Sequence, residues 1–142
     1  MSIQLEQLLD TFERLWPRAG ADDWDAPGLL VGDPRTAVSR VLLSVDATLE
    51  VIEEAGGFDL VLSHHPALLR GITTANESTA KGKLIASCVR QNLALFAAHT
   101  NADIVEGGVS DTLAQALGLE QTQPLVPSVH SSAQGHGRIG NA

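Results

Sequence analysis

The chain has 142 residues, of which 44% are hydrophobic, and its 17 acidic and 9 basic side chains give a formal net charge of -8. This length supports one compact core and is too short for two well-built domains. The negative charge argues against a polymeric nucleic-acid partner, although local groups could still hold a single nucleotide. The chain has one cysteine and an N-terminus that does not resemble a signal sequence, which predicts a cytoplasmic protein. We expect no membrane role, because no apolar run approaches the length of about 20 residues that spans a bilayer.

The first predicted element is an amphipathic helix over residues 5–16. Apolar side chains recur there at helical spacing, with Ser2 as a candidate cap and Pro17 as a candidate stop. Residues 19–34 are rich in Gly, Pro and Asp. They predict an irregular connection around a short strand at 28–32.

Short apolar runs then alternate with helical patterns. The runs suit strands that are buried on both faces, and they cover residues 41–45, 60–62 and 93–97. Helices are predicted at 48–55, at 83–92 and from Ser110 to Gly118. This alternation predicts βαβ units, and therefore a single-domain α/β fold with a mostly parallel sheet and flanking helices.

The C-terminal residues give a much weaker signal. We assign residues 1–127 to an α/β metal-binding domain and residues 128–142 to a tail that is rich in Gly, Ser and His. His130 and His136 lie in this tail without neighbouring carboxylates in the sequence. We expect both histidines to be exposed and without function.

Side chains that can bind metals follow each of the three predicted parallel strands. The strands end in Asp46, in His64 and His65, and in a segment that runs from His99 to Asp103. In an open parallel sheet, the carboxyl ends of the strands and their loops gather at one edge. We therefore expect these side chains to converge there.

The His64-His65-Pro66 segment is the strongest single signal for a metal site. In a turn, two adjacent histidines are more often surface residues, but a buried strand before them and a proline after them favour the ligand interpretation. Pro66 keeps His65 extended, so the two imidazoles diverge. Diverging imidazoles suit two adjacent metal ions, which Asp103 could bridge through its two carboxylate oxygens.

The remaining polar residues keep alternatives open. Asp103, in a predicted loop, is either a metal ligand or an acid that caps local backbone N–H groups. Asp46 holds the next helix or, at most, orients a ligand. His99 binds metal, carries protons or orients Asp103, and we take it as the candidate catalytic residue. Cys88 lies on the inner face of a predicted helix, which indicates a core position.

Several sequence blocks resemble those of a known family. The blocks are Leu60–Pro66, Ala97–Asp103 and Gly107–Asp111, with Trp24-Asp25, Gly28–Gly32 and Gly135–Gly140 at the two ends. They resemble the signature blocks of the GTP cyclohydrolase 1 type 2 family, the Nif-three-like dinuclear metal proteins. The resemblance implies a ring-shaped homo-oligomer, often a hexamer, in which His64, His65 and Asp103 hold two divalent ions. Zinc, iron, manganese, cobalt and nickel all suit such ligands.

The same resemblance sets our functional hypothesis. The family completes its site with a His and a Glu spaced H-x-x-x-E, and no such pair follows Asp103 here. We therefore interpret residues 128–142 as the start of the segment that carries this pair. We hypothesise a dinuclear-metal-dependent hydrolase that opens a ring in a small-molecule or nucleotide substrate. The alternatives are a non-catalytic metal-binding oligomeric or regulatory protein, and an inactive truncated form.

Overall fold

Short strands alternate with helices in the computed structural model, which describes residues 2–129 and 131–142. In chain order the elements are β1 (Ile3–Gln4), α1 (Leu5–Leu15), β2 (Gly28–Val31), β3 (Ala37–Val38), β4 (Val41–Ser44), α2 (Leu49–Glu54), β5 (Leu60–Ser63), α3 (Ala80–Arg90), β6 (Ala94–Ala97), α4 (Thr100–Ile104), α5 (Val109–Ala116), β7 (Glu120–Pro127) and β8 (Gly135–Asn141). Within these ranges, no helix has the length and apolar character that crossing a membrane requires.

A four-stranded sheet lies at the centre of the fold, in the order β2-β6-β5-β4. β5 runs parallel to both of its neighbours, whereas β2 is antiparallel to β6. The predicted α/β class with a mostly parallel sheet is confirmed. Two antiparallel ribbons, β1-β3 and β7-β8, lie outside this sheet.

Helices cover both faces of the sheet. On one face, Phe12 of α1 packs in a cluster with Leu60 and Phe96. On the other face, Cys88 of α3 packs with Val61 and Leu95, beside apolar residues of α2. Adjacent strand residues therefore serve opposite cores, because side chains alternate across a sheet. Cys88 is fully buried, as predicted, and this burial raises the pKa of its thiol to about 11.

The helix boundaries differ slightly from those that the sequence predicts. α1 begins after Gln4, whose side chain forms a capping box with Gln7, so Ser2 is not the cap. Thr48 caps α2 as predicted, because its hydroxyl accepts a hydrogen bond from the Val51 amide. Gly118 follows α5 at φ +77°, a conformation in which glycine carries no steric cost.

Two regions contain structure that the sequence pattern does not predict. The segment after β6, which we predicted as a loop, continues as α4. β7 and β8 form a hairpin in which Arg138 pairs with Asp111 of α5. The Arg138 side chain is only 3% exposed, so this ion pair fixes the hairpin against α5. The division at residue 127 stays a prediction.

Candidate metal centre

Three imidazoles converge at the carboxyl edge of the sheet. His64 and His65 directly follow β5, and His99 lies just beyond β6, the neighbouring parallel strand. One ring nitrogen from each residue lies within 4.8 Å of the other two. The expected convergence of these three strand-end histidines is therefore present in the structure, and it includes our candidate catalytic residue, His99.

The backbone bends directly after β5, at His64 and His65, and hydrogen bonds hold this bend at the edge of the sheet. The amides of His64 and His65 donate to the carbonyls of Ser44 and Val45, at 3.1 and 2.8 Å, so the pairing with β4 continues past the end of β5. The buried Ser63 hydroxyl donates to the His65 carbonyl at 3.1 Å. These bonds fix the backbone that carries the two imidazoles.

A buried amide side chain fixes His99. The Asn101 side-chain oxygen accepts from the His99 amide at 3.0 Å, and its nitrogen donates to the Trp16 carbonyl at 2.7 Å. Asn101 is only 1% exposed. It therefore links the start of α4 to the end of α1 and fixes the backbone of His99.

Every imidazole in the cluster holds its Nδ1 atom against an oxygen. The pairs are His64 with the Ala98 carbonyl at 2.9 Å, His65 with Asp46 at 2.7 Å and His99 with Asp25 at 2.8 Å. Because a carbonyl or an ionised carboxylate only accepts, each neutral ring carries its proton on Nδ1 and keeps the Nε2 lone pair free. Metal-binding histidines show the same arrangement. Asp46 contacts the cluster as an orienting residue would.

Asp103 lies beside the cluster on α4, and not in the loop that we predicted. Its Oδ1 atom is 3.8 Å from the Nε2 atom of His64, and both side chains are 25% exposed. This separation is too long for a hydrogen bond. Two ligands at about 2.1 Å from one tetrahedral ion are roughly 3.4 Å apart. The two atoms therefore need only a small shift to bind a common ion, and Asp103 stays a predicted ligand.

Asp25 is a residue of the site that the residue patterns did not reveal. Its side chain is fully buried and also accepts hydrogen bonds from the Ala26 amide and from the amide and hydroxyl of Thr100. Burial raises the pKa of Asp25, but the hydrogen bonds from Thr100, His99 and the backbone outweigh it, and the net pKa is lowered. The only sequence signal was its place in the Trp24-Asp25 block.

His136 has a carboxylate partner that is distant in the sequence. We expected an exposed histidine without function; its side chain is 44% exposed, and its Nε2 atom lies 3.2 Å from Asp22. The Asp22 amide also donates to the Thr100 hydroxyl at 3.1 Å. Asp22 and His136 are 114 positions apart in the sequence, so no local pattern predicts this pair. His130 lies outside the described residues.

These features define the class of protein. Neighbouring parallel strands of an α/β sheet end in three imidazoles, each oriented by an oxygen acceptor, and such a cluster could hold a transition-metal ion. The chain belongs to the Duf34/NIF3 (NGG1p interacting factor 3) family, whose model matches residues 3–142. This result confirms the family that the sequence blocks indicated.

Individual relatives support the same assignment. The chain is 44% identical to a "GTP cyclohydrolase 1 type 2 homolog" of Streptomyces coelicolor over 140 residues, which is 96% of this chain and 49% of that protein. It is 36% identical to a Bacillus subtilis protein of the same name, with coverage of 89% and 35%. The chain therefore spans half or less of the length of these two relatives.

Solved structures share the fold. The Bacillus cereus protein related to NIF3 superposes with a TM-score of 0.83 at 36% identity, over 89% of this chain and 36% of that one. Reduced HcgD from Methanocaldococcus jannaschii gives 0.81 at 29% identity, over 88% of this chain and 51% of that one. The fold described above is therefore one that NIF3-related proteins have.

Proposed function

We propose that this protein is a metal-dependent hydrolase that uses two divalent ions and acts on a small heterocyclic or nucleotide substrate. The observation that carries the proposal is the set of three Nδ1–oxygen contacts, which leaves three Nε2 lone pairs free in one cluster. Neutral imidazoles with this support fit zinc, iron, manganese, cobalt or nickel. In this proposal His64, His65 and Asp103 hold the ions.

A divalent ion in this cluster would supply Lewis acidity toward water and substrate. The chain would supply the proton transfer through His99. Its Nδ1 faces the buried, ionised Asp25, so its Nε2 can accept a proton, and the carboxylate would stabilise the resulting imidazolium. Because His99 also lies within reach of a metal in the cluster, it could act as a metal ligand or as a proton carrier. A His99→Ala variant separates these two roles. Loss of turnover with intact metal content identifies a proton carrier.

The substrate class comes from the relatives. Two of them carry the name "GTP cyclohydrolase 1 type 2 homolog", which supports ring opening of a nucleotide as the reaction to test first.

Three imidazoles and one carboxylate give two ions few ligands, so a complete site would need further ligands from another segment or subunit. We propose a homo-oligomeric ring, with six copies, in the cytoplasm.

Metal analysis with matched variants tests the proposal. Purified protein is loaded with zinc, iron, manganese, cobalt or nickel in turn, and bound metal, native mass and GTP turnover are measured before and after a chelator. We expect His65→Ala to lose metal and turnover. His136→Ala removes a histidine outside the cluster and should retain both. Unchanged metal content and turnover in His65→Ala would overturn the proposal. Metal-dependent assembly without hydrolysis would instead support the non-catalytic alternative.

A further inference from the structure

A large aromatic side chain is exposed beside the histidine cluster. Trp24 is 58% exposed, and the centre of its ring lies 5.8 Å from that of His99. The two ring planes meet at 81°, so the edge of one ring points toward the other. In either arrangement, His99 leaves at least one face of the indole uncovered. A flat apolar surface is therefore available next to the candidate proton carrier.

The backbone that carries Trp24 is fixed on both sides. On one side, the Asp22 amide donates to the Thr100 hydroxyl, and the Asp22 carbonyl accepts from the Asp25 amide at 2.9 Å. On the other side, the Asp25 carboxylate accepts from the amide of Thr100 at 3.1 Å. These bonds attach the Trp24 loop to the start of α4. A ligand that packs on the indole would therefore order little additional backbone, which favours binding.

The second tryptophan of the chain shows a different use of the same side chain. Trp16 stacks on Phe12 with ring centres 5.7 Å apart and an angle of 23°, and it packs against the α1 core. Among the described residues, Trp24 contacts no aromatic ring other than His99. Folding removes little of an exposed indole from water, so this side chain contributes little to folding stability. A planar ring that stacks on the indole removes the facing surfaces of both rings from water.

The local charge restricts which ligand fits. Asp23 is exposed, the Asp22 and Asp46 side chains are 34% and 63% exposed, and the whole chain has a net charge of -8. These groups place negative charge beside the indole, which favours a neutral ring over an anionic group at the indole itself. We propose that Trp24 is a stacking platform for the planar ring of a neutral nitrogen heterocycle, such as a nucleobase, which it holds beside His99. This inference rests on the proposed function and names the residue that would hold the ring of its substrate.

Two measurements on the zinc-loaded full chain test the platform. In a Trp16→Phe background, Trp24 is the only tryptophan, so its fluorescence reports directly on ring stacking. The probes are guanosine, adenosine and uridine, with ribose as the non-aromatic control. We expect at least one nucleoside to quench this fluorescence, and ribose to leave it unchanged.

Calorimetric affinities then separate stacking from other contacts. Trp24→Ala should weaken the binding of that nucleoside by roughly tenfold to a hundredfold, which is the effect of removing one stacking side chain. Trp24→Phe should stay within about threefold of the parent. Leu117→Ala alters another exposed apolar residue, 69% exposed, and should change nothing.

The outcomes distinguish this inference from the proposed hydrolase function. Equal affinities for the parent and Trp24→Ala, or no nucleoside binding at all, would overturn the platform even if turnover is found with another substrate. Nucleoside binding that depends on Trp24, without any turnover, would support the platform and count against the hydrolase.

Discussion

The Asp25→Asn substitution tests how the buried carboxylate contributes to the site. Oδ1 of Asp25 accepts hydrogen bonds from the Ala26 amide and His99, and Oδ2 accepts them from the Thr100 amide and hydroxyl. Asparagine keeps only one oxygen, so its NH₂ group must face one of these two sets. If it faces Thr100, the Thr100 amide and hydroxyl both lose their acceptor, because the hydroxyl oxygen already accepts from the Asp22 amide. If it faces His99, only the Ala26 amide loses its acceptor, because the ring can carry its proton on Nε2 and accept on Nδ1, so we expect this orientation.

This orientation sets the size of the expected effect. One buried donor without an acceptor costs about 1–3 kcal/mol, or roughly 5- to 140-fold in the folding equilibrium. A typical domain of this size is stable by about 5–15 kcal/mol, so the variant should still fold. His99 then carries its proton on Nε2 and no longer offers a free lone pair there, so we expect zinc affinity to fall by about 10- to 100-fold, the usual effect of losing an orienting partner.

Urea unfolding and zinc competition measure the two effects separately. Asp23→Asn is the matched control, because it removes the same charge at an exposed neighbouring position. We expect Asp25→Asn to lower the urea midpoint, while Asp23→Asn leaves it unchanged. Equal midpoints for the two variants would refute the assignment of the buried hydrogen bonds. Unchanged zinc affinity in Asp25→Asn would refute the predicted orientation of the amide.

Three further substitutions or treatments have distinct expected results. Asp46→Ala should lower zinc affinity by about 10- to 100-fold with little change in the urea midpoint, because Asp46 is exposed and orients one imidazole; a competition titration measures this. Asp111→Asn should destabilise the protein by about 1–3 kcal/mol at pH 7, because it removes the charged partner of the buried Arg138 side chain. The Arg138 side chain lowers the pKa of Asp111. The stability difference between parent and variant is therefore present above the unfolded-state pKa of about 4, and it disappears as the pH falls through the folded-state pKa. Urea unfolding measured at several pH values detects this change. Zinc at about a hundred times its dissociation constant should add about 2.7 kcal/mol to the free energy of unfolding. Calorimetry should then show the melting temperature rise by roughly 10 °C, and a chelator should reverse the rise.

The apolar strands explain why the sequence predicts most of the sheet. All four residues of β6 are buried, and such a strand appears as a continuous apolar run. The hairpin is different, because seven of the eight β7 residues are exposed and the strand contains Pro124, a residue that argues against a strand in the sequence. Its stability depends on distant contacts such as the Arg138–Asp111 pair. Propensity and periodicity carry no information about a contact of that kind.

The same distinction applies to the candidate site. Parallel topology alone brings His64, His65 and His99 to one edge, so strand prediction was sufficient to expect their convergence. Asp25 reaches His99 from 74 positions away, through a connection rich in Gly, Pro and Asp. Irregular backbone has no period that would indicate which way this carboxylate points. The sequence therefore predicts the imidazoles of the cluster but not all of the residues that orient them.

The oxygen partners of the imidazoles show how the cluster depends on the whole sheet. One partner is the Ala98 carbonyl just past β6, one is Asp46 just past β4, and one is Asp25 in the connection before β2. The His64 ring therefore crosses from β5 to β6, and the His65 ring crosses from β5 to β4. No single element contains both an imidazole and its oxygen partner. The ring nitrogens of the cluster converge only when the sheet order β2-β6-β5-β4 is in place, so we expect metal binding at this cluster to be linked to folding stability.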